Sequence, residues 1–175
     1  MAQVPIRLYG DPVLREHCDP VDTVDGDVKK VIDDLVETVF SAEGLGLAAP
    51  QIGVTRRIIV VVEPPVELKK HYVVVNPEIV SACGEDVSEE GCLSVPEIFE
   101  KVKRPQSVVV SGMDEFGEKI NIEASGTMAR AFCHEIDHLD GVLFVDRIGM
   151  VRKGLLRGKL GAIRKRAKEL MKSLR

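Results

Sequence analysis

The clearest hydrophobic pattern in the first half of the chain predicts an amphipathic helix at residues 27–40. Apolar side chains recur there every three or four positions, with acids and lysines between them, so they share one face of a helix. Asp25 or Asp27 can cap the start of this helix, and Gly44 can end it. We expect the helix to pack on the core. Residues 1–26, broken by repeated Pro and Gly, are expected to be irregular.

Short runs rich in β-branched residues predict five strands, at residues 57–62, 71–75, 78–82, 107–111 and 119–123. Asn76-Pro77 should end the second of these runs before the third begins. The last two runs predict a hairpin across the turn at residues 114–117. Residues 142–145 predict a short strand or an extended packing segment.

Two more helices are predicted in the last third of the chain. One covers residues 125–139 and ends at Gly141, and the other begins at Arg152. In the second helix, apolar residues recur at four-three spacing, at Leu156, Leu160, Ile163, Ala167, Leu170 and Leu174. These elements favour an α+β fold of mostly antiparallel sheets packed around the helix at residues 125–139, with an N-terminal helix and a C-terminal basic helix.

The composition is typical of a single globular domain. The chain has 175 residues, of which 45% are hydrophobic and 30% charged, which is enough to bury a core. Apolar runs are too short to span a membrane, and the N-terminus lacks the pattern of an export signal. We therefore expect a cytoplasmic protein without a membrane partner. The irregular spacing of Cys18, Cys83, Cys92 and Cys133 indicates reduced thiols rather than a disulfide framework.

Charge is distributed unevenly along the chain. Residues 150–175 contain ten Lys and Arg and one acid, Glu169, a net charge of +9, whereas the rest of the chain carries −13. A solvated helix face is the commonest outcome of such a run, but an imbalance of this size also favours binding to a phosphate backbone. A membrane-surface helix is a weaker alternative, since the apolar face lacks aromatic residues. We predict one domain at residues 1–149, with the basic helix at residues 150–175 appended to it.

The strongest chemical signal is the run His134-Glu135-Ile136-Asp137-His138. Positions i and i+4 share a helix face, so the two imidazoles can bind one metal ion, while Glu135 lies beside it as a general base. Two surface histidines on an ordinary helix are the plain alternative. For a third ligand, Cys92 is the best candidate, and Asp140 and Asp146 are weaker ones.

Two other segments are candidates for chemistry. Residues 44–53 are rich in Gly and small apolar residues, and Gln51 is a polar side chain among them; a flexible connection is the structural alternative. Cys92 lies in a turn-like segment between Gly91 and Pro96, although a single Cys can also be a small buried hydrophobe.

Three segments carry a resemblance to a known family: Gly44-Leu45-Gly46-Leu47-Ala48-Ala49-Pro50-Gln51, Glu90-Gly91-Cys92-Leu93-Ser94 and His134-Glu135-Ile136-Asp137-His138. In order and spacing they resemble the three motifs of bacterial peptide deformylases, and the resemblance covers essentially the whole chain. It implies a hydrolase that removes formyl from the N-terminal formyl-methionine of nascent polypeptides and releases formate. The alternatives are a HExxH metallopeptidase, a passive metal-binding protein and an RNA-binding factor. Glu135 between the ligands argues against a passive metal site.

The resemblance also implies roles for individual residues. Cys92, His134 and His138 would bind one divalent metal, Fe(II) in the cell, with zinc, nickel or cobalt able to replace it. A water on this metal would attack the formyl carbonyl, with Glu135 as general acid and base. Gln51 and the backbone N–H of Leu93 would stabilise the oxyanion.

The remaining expectations concern the surroundings of the site. A methionine pocket is implied near Leu45 and Gly46 and along the helix face at Thr127, Arg130 and Ala131, where Arg130 departs from an apolar lining. Asp137 is predicted to hold a ligand or to pair with a cation such as Arg104, and Glu90 and Arg104 are also predicted to lie behind the ligands. The expected partners are N-formylmethionyl peptides and, through the basic helix, ribosomal RNA at the exit region. We expect no DNA partner.

Overall fold

Two antiparallel sheets enclose a central helix in the structure, a computed structural model that describes residues 4–174. The strands are β1 (Gly46–Ala48), β2 (Ile58–Val62), β3 (His71–Cys83), β4 (Asp86–Cys92), β5 (Val95–Arg104), β6 (Ser107–Met113) and β7 (Lys119–Ser125). The α-helices are α1 (Gly26–Ser41), α2 (Gly126–Leu139), α3 (Met150–Leu155) and α4 (Arg157–Ser173). One sheet has the order β1-β2-β3-β6-β7, and β4 and β5 form the other. The α+β class is confirmed.

Strand β2 is the layer between two helices. All five of its residues are buried, because alternate side chains enter different cores. Ile59 and Val61 join the cluster that contains Phe132 and Ile136 of α2, and the other three join the cluster beneath α1. This arrangement explains the unbroken β-branched run, since neither face of the strand meets water. Helix α1 begins at Gly26, and its cap is Asp25, whose side chain accepts a hydrogen bond from the Val28 N–H at 3.0 Å.

The two strands predicted at residues 71–75 and 78–82 are one strand, β3. Asn76 adopts a left-handed conformation with φ of 52°, and the register shifts between Val75 and Glu78. A bulge of this kind accommodates Pro77, which has no N–H to donate. The Asn76 side chain also exchanges two 2.8 Å hydrogen bonds with the backbone of Val21. The strand therefore continues through the bulge and pairs with β2 before it and with β6 after it.

Neither strand of the β4–β5 hairpin was predicted from the sequence. Burial alternates along β5, but two of its inward positions are Glu100 and Arg104. Polar residues on the inner face hide the two-residue period of hydrophobicity on which strand prediction depends. The turn of this hairpin is Leu93-Ser94, so Cys92 lies at the end of β4. The predicted hairpin across residues 114–117 is present as β6 and β7.

Helix α2 lies between the two sheets. Phe132, Cys133 and Ile136 pack on the five-stranded sheet, while Arg130 and His134 reach Glu90 of β4. After α2, the segment predicted as a short strand or an extended packing segment contains a single 3-10 turn, Phe144–Asp146. Its Asp146 side chain accepts a hydrogen bond from the Leu143 N–H at 3.0 Å, which favours the turn.

The C-terminal segment is helical, but it forms two helices rather than one. Helices α3 and α4 meet at Leu156, where Gly154 and Gly158 lower the helix propensity on both sides. Leu160, Ile163 and Ala167 of α4 are buried, and α4 packs on β5. Arg175, the last residue of the predicted basic helix, lies outside the described residues. Within residues 4–174, none of the helices is long and apolar enough to cross a membrane.

Candidate active site and metal centre

Three predicted ligands converge where the end of β4 meets α2. Cys92, His134 and His138 place one ligand atom each within 4.8 Å of the others. The Cys92 Sγ and His138 Nε2 atoms are 3.3 Å apart, and the two imidazole centroids are 5.0 Å apart. This spacing lets one ion contact all three groups. The weaker candidates point elsewhere, because Asp140 pairs with Arg57 at 2.7 Å and Asp146 pairs with Arg15 and Lys153.

The donor set suits a divalent transition metal. A thiolate and two imidazoles are typical ligands for such ions, and three protein ligands leave a fourth position for water or substrate. The Nδ1 atom of His134 lies 3.0 Å from Glu90 Oε2, which turns its other ring nitrogen toward the ligand group. Burial alone would lower the pKa of His134, but the charge of Cys92 and hydrogen bonds to Cys92 and Glu90 raise it well above its usual value. Negative charge gathered at this point favours a cation.

Glu135 lies beside the ligands in the position that a proton carrier requires. Its side chain is 4% exposed, and burial raises its pKa to about 7. The Oε2 atom is buried without a hydrogen-bond partner among the described residues. On the other side, a Cβ atom at Gly46 would lie 2.5 Å from Glu135 Oε1. Glycine at position 46 therefore lets the β1 backbone approach the carboxylate, and Gly46 also lines the cleft beside the ligands.

Gln51 is held with its amide nitrogen toward the metal ligands. Its Oε1 accepts a 2.8 Å hydrogen bond from the Ala48 N–H. Its Nε2 donates to Ser94 Oγ at 3.1 Å and lies 3.7 Å from Cys92 Sγ. The structure thus brings together Gln51 and the turn that contains Leu93. Ser94, which is fully buried, was missed as a site residue, although it stands within the quoted motif.

A chain of ion pairs runs behind the ligands, as predicted for Glu90, Arg104 and Asp137. Arg104 donates to both oxygens of Glu90 at 2.7 and 2.9 Å and to Asp137 at 2.6 Å. Burial alone would raise the pKa of Glu90, but hydrogen bonds from Arg104 and His134 outweigh it and lower the pKa to about 2. Arg147, which sequence reasoning missed, donates twice to Asp137 at 2.5 Å. Its position after α2 gave no signal of this contact.

The residues of the implied methionine pocket line one cleft beside the ligands, with a volume of about 760 Å³. Leu45 lies on its rim and is 40% exposed, while Thr127 and Ala131 belong to its α2 wall. Arg130 is also in this wall, but its charge is paired. Its guanidinium donates to Glu90 at 2.8 Å, to Asp86 at 2.7 Å and to the Val102 carbonyl at 2.8 Å.

A second residue that sequence reasoning missed is Phe144. Its ring stacks against His134, with centroids 6.1 Å apart and an interplanar angle of 29°. The sequence predicted a short strand or an extended packing segment around Phe144, and neither prediction indicated a contact with His134. The structure has a 3-10 turn there. All four cysteines are free thiols, which leaves Cys92 available as a ligand.

Comparison with known proteins identifies relatives of this chain. The sequence model of the polypeptide deformylase family matches residues 3–154. A peptide deformylase of Thermodesulfovibrio yellowstonii is 46% identical over 160 residues, which cover 91% of this chain and 97% of the relative. One from Halothermothrix orenii is 48% identical over 148 residues, covering 85% and 95%.

Solved structures agree with the sequence relatives. A peptide deformylase from Legionella pneumophila superposes with a TM-score of 0.88 at 41% identity, covering 94% of this chain and 96% of the other. The enzyme from Thermus thermophilus gives a TM-score of 0.86 at 44% identity, covering 93% and 98%. The similarity therefore extends over nearly the whole chain.

Proposed function

This chain belongs to the polypeptide deformylase family and is a metal-dependent hydrolase that removes N-formyl groups, and we propose the residues that perform this reaction. Cys92, His134 and His138 hold the divalent ion, and Glu135 moves the protons. Cleavage of ordinary peptide bonds by a HExxH metallopeptidase is not favoured. The observation that carries the proposal is the convergence of the three ligand atoms within 4.8 Å beside the unpartnered Glu135 Oε2.

Glu135 acts as the general base and then as the general acid. A divalent ion supplies Lewis acidity at this site, to water and to the formyl carbonyl. Glu135 accepts the proton of the attacking water on its unpartnered Oε2 and returns it to the departing amine. A carboxyl group with a pKa of about 7 suits both transfers near neutral pH, because proton transfer is most efficient when the pKa lies near the working pH.

Gln51 and Leu93 stabilise the negative charge that develops on the formyl oxygen when its carbonyl carbon is attacked. The amide nitrogen of Gln51 cannot turn away freely, because Ala48 fixes the other end of the amide. The Leu93 N–H belongs to the turn directly after the Cys92 ligand. Donors fixed before the reaction need no reorganisation as charge develops, and removal of one such donor typically raises the barrier by about 3 kcal/mol.

The thiolate ligand accounts for a preference for formyl groups over peptide bonds. A thiolate cancels one positive charge of the ion, so the site is a weaker Lewis acid than one made of three neutral imidazoles. A formyl carbonyl carries only hydrogen on its carbon and is less hindered and more electrophilic than a peptide carbonyl. A modest nucleophile is therefore adequate for the formyl group.

The decisive test replaces Glu135 with Gln and measures formate release from a formyl-methionyl tripeptide. We expect the metal content to remain that of the wild type and kcat to fall by about 10²- to 10⁴-fold, the usual contribution of general acid–base catalysis. Glu123→Gln, on the exposed outer strand β7, is the matched control and should keep the wild-type rate. Wild-type turnover in Glu135→Gln would refute the assignment. Internal cleavage of the same peptide would support the metallopeptidase instead.

The cleft beside the ligands would receive the methionine side chain. Leu45, Thr127, Ala131 and the paired Arg130 contribute to it. Because the Arg130 charge is neutralised by Glu90 and Asp86, Arg130 presents no unpaired charge to an uncharged thioether. Arg130→Met should therefore raise KM for formyl-methionine through loss of the Glu90 support, and equal kinetics in the variant and wild type would contradict this assignment.

Fe(II) is the proposed metal in the cell. Thiolate ligation exposes a redox-active ion and its sulfur to oxidation. Activity of the iron-loaded enzyme should decay faster in air than that of a nickel-loaded sample, and equal decay would count against iron. The free thiols of the chain are consistent with a reducing compartment, and we propose the cytoplasm.

The basic face of α4 is proposed to bind ribosomal RNA, with the domain at residues 1–149 carrying the catalysis. Leu160, Ile163 and Ala167 face the core, which leaves the Lys and Arg residues to solvent. Arg166 lies 3.7 Å from Glu97, and Glu97 lines the cleft. The charged face therefore adjoins the cleft mouth, where docking would bring a nascent chain close to the site.

Charge reversal tests RNA binding better than truncation, because removal of α4 would uncover buried residues. Lys165→Glu together with Lys168→Glu should reduce co-sedimentation with ribosomes and flatten its salt dependence. Lys30→Glu together with Lys119→Glu, also exposed but distant in sequence, is the matched control. Equal co-sedimentation of the two double variants at low salt would refute a specific role for α4.

A further inference from the structure

We infer that Phe144 is a positioning residue for the ligand His134 and that α4 holds Phe144 in place, which makes the C-terminal helix part of the metal centre. The inference rests on the proposed ligand role of His134. It also differs from the predicted division of the chain at residue 149, in which the basic helix is only appended.

His134 is constrained in two directions. Glu90 holds the Nδ1 edge of its ring at 3.0 Å, and Phe144 covers a face of the ring at a centroid distance of 6.1 Å. The hydrogen bond fixes one atom of the imidazole but still permits the ring to tilt about that contact. A near-parallel aromatic ring, itself 1% exposed, opposes this tilt, since offset stacking has a preferred geometry.

Phe144 is presented by a turn that is anchored at several points. Asp146 accepts hydrogen bonds from the Leu143 N–H at 3.0 Å and from Lys153 at 2.7 Å, and it also pairs with Arg15. The next residue, Arg147, donates two hydrogen bonds to Asp137 of α2. The turn is thus tied to the metal helix on one side and to α3 on the other.

Helix α4 completes the support. Leu160 and Ile163 belong to the same buried cluster as Phe144 and Val95, and Cys92 packs against that cluster. In the preceding helix α3, Arg152 forms a bidentate ion pair with the buried Glu100 of β5 at 2.9 and 3.1 Å. One apolar cluster therefore touches two of the three ligands, and α4 covers its outer side. A defect in α4 should reach the metal site through this cluster.

The first test compares Phe144→Leu with Phe132→Leu. Both side chains are almost fully buried. Phe144 stacks on His134, whereas Phe132, which belongs to α2, packs on the five-stranded sheet. Co(II) is the probe, because its thiolate charge-transfer and ligand-field bands report ligation without an activity assay. Phe144→Leu should weaken Co(II) binding about tenfold, the lower end of the effect of residues that orient ligands, and shift the ligand-field bands. Phe132→Leu should change neither.

The second test separates metal support from general stability. Leu160→Ala and Leu35→Ala each remove a buried leucine from a helix, the first in the cluster with Phe144 and the second in the cluster beneath α1. Both should lower Tm, but only Leu160→Ala should weaken Co(II) binding at a temperature where both variants are folded. Chelator competition in the full-length protein gives the dissociation constants.

Two results would overturn the inference. If Phe144→Leu and Leu160→Ala bind Co(II) as their controls do, with wild-type spectra, α4 and Phe144 do not position His134. If instead the wild-type protein shows no thiolate band, or Cys92→Ala keeps it, the proposed ligand set fails and the inference fails with it. The spectrum of Cys92→Ala thus distinguishes a failure of the metal centre from a failure of its support.

Discussion

Charged residues concentrate in two parts of this molecule, and the two parts hold them in opposite ways. Behind the metal ligands, Glu90, Arg104 and Asp137 are at most 9% exposed, and each contacts a charged partner at hydrogen-bonding distance. On α4, the Lys172 side chain is 73% exposed, and positive charge greatly exceeds negative charge.

The difference shows that similar residues do different physical work according to burial. Removal from water is costly for an ion and is offset only by well-placed partners. The buried group therefore behaves as a rigid frame that fixes His134 through Glu90. Exposed charges interact weakly with one another and are screened by salt. They contribute a field that can attract a polyanion, and they contribute little to folding.

The largest expected effect comes from Arg104→Met, which removes the centre of the buried frame. Glu90 and Asp137 would each lose one partner, but Arg130 still pairs with Glu90 and Arg147 with Asp137. We therefore expect a loss at the lower end of the range for breaking a buried ion pair, about 3 kcal/mol. Urea denaturation followed by circular dichroism measures the free energy of unfolding. Co(II) affinity should fall as well, since Glu90 would no longer be held against His134.

Arg157→Met is the matched control on α4, where Arg157 is exposed. Surface substitutions of this kind usually change the free energy of unfolding by less than about 0.5 kcal/mol. Equal destabilisation by Arg104→Met and Arg157→Met would contradict the claim that burial determines how much a charged side chain contributes to stability.

Asp146 is intermediate in exposure, and its contribution to the free energy of unfolding should depend on pH. Burial alone would raise its pKa, but hydrogen bonds from Arg15, Lys153 and the Leu143 N–H outweigh burial and lower the pKa to about 2. A carboxyl group with a lowered pKa stabilises the fold above its unfolded pKa of 3.8, and this stabilisation disappears as the pH falls from there toward 2.

Asp146→Asn should therefore be less stable than the wild type by about 1–2 kcal/mol at pH 7, allowing for the partial exposure of the ion pairs. The difference should shrink as the pH falls below 4. Thermal unfolding of both proteins across this range measures it. A difference that is constant from pH 7 to pH 2 would show that Asp146 acts through hydrogen bonding or packing rather than through its charge.

The elements predicted correctly are those whose sequence pattern lies within a short stretch of the chain. Helix α1 and the β6–β7 hairpin follow from hydrophobic spacing and turn residues, and the basic character of α4 follows from a count of charges. The ligands also follow from motifs, since the i and i+4 spacing fixes His134 and His138 on one helix face. Cys92 was already the best third-ligand candidate from the residues alone, with Asp140 and Asp146 left as weaker ones, and the resemblance implied the same ligand.

The contacts that sequence reasoning missed are distant in the chain or depend on an unexpected backbone. Arg147 and Phe144 contact side chains of α2 from a 3-10 turn and the residue after it, where a short strand or an extended segment was predicted. Strand β5 carries Glu100 and Arg104 inward, and such polar positions look like solvent-facing ones until their partners are known. Similarly, Asn76-Pro77 predicts the end of a strand, because the dipeptide is common in turns. In the structure the left-handed Asn76 forms a bulge, and the strand continues through it.

The smallest predicted effect has the opposite sign to that of Arg104→Met. Lys168 lies four residues from Arg164 and from Lys172 on α4, and like charges at this spacing destabilise a helix by about 0.2–0.5 kcal/mol per pair. Lys168→Gln should therefore stabilise the protein slightly at low salt, by about 0.4–1 kcal/mol for the loss of both repulsions. At 1 M salt the gain should disappear, since screening then acts within about 3 Å.

Lys172→Gln serves as the contrast, because Lys172 also pairs with Glu169 at 3.1 Å. Loss of one repulsion and one attraction should leave the free energy of unfolding nearly unchanged at any salt concentration. Urea midpoints at low and high salt compare the two variants. If Lys168→Gln instead lowers stability by more than about 1 kcal/mol, which exceeds what an exposed pair contributes, its amine has a structural partner. The charges on the outer face of α4 would then be held by specific partners, as those behind the metal ligands are, rather than being solvated.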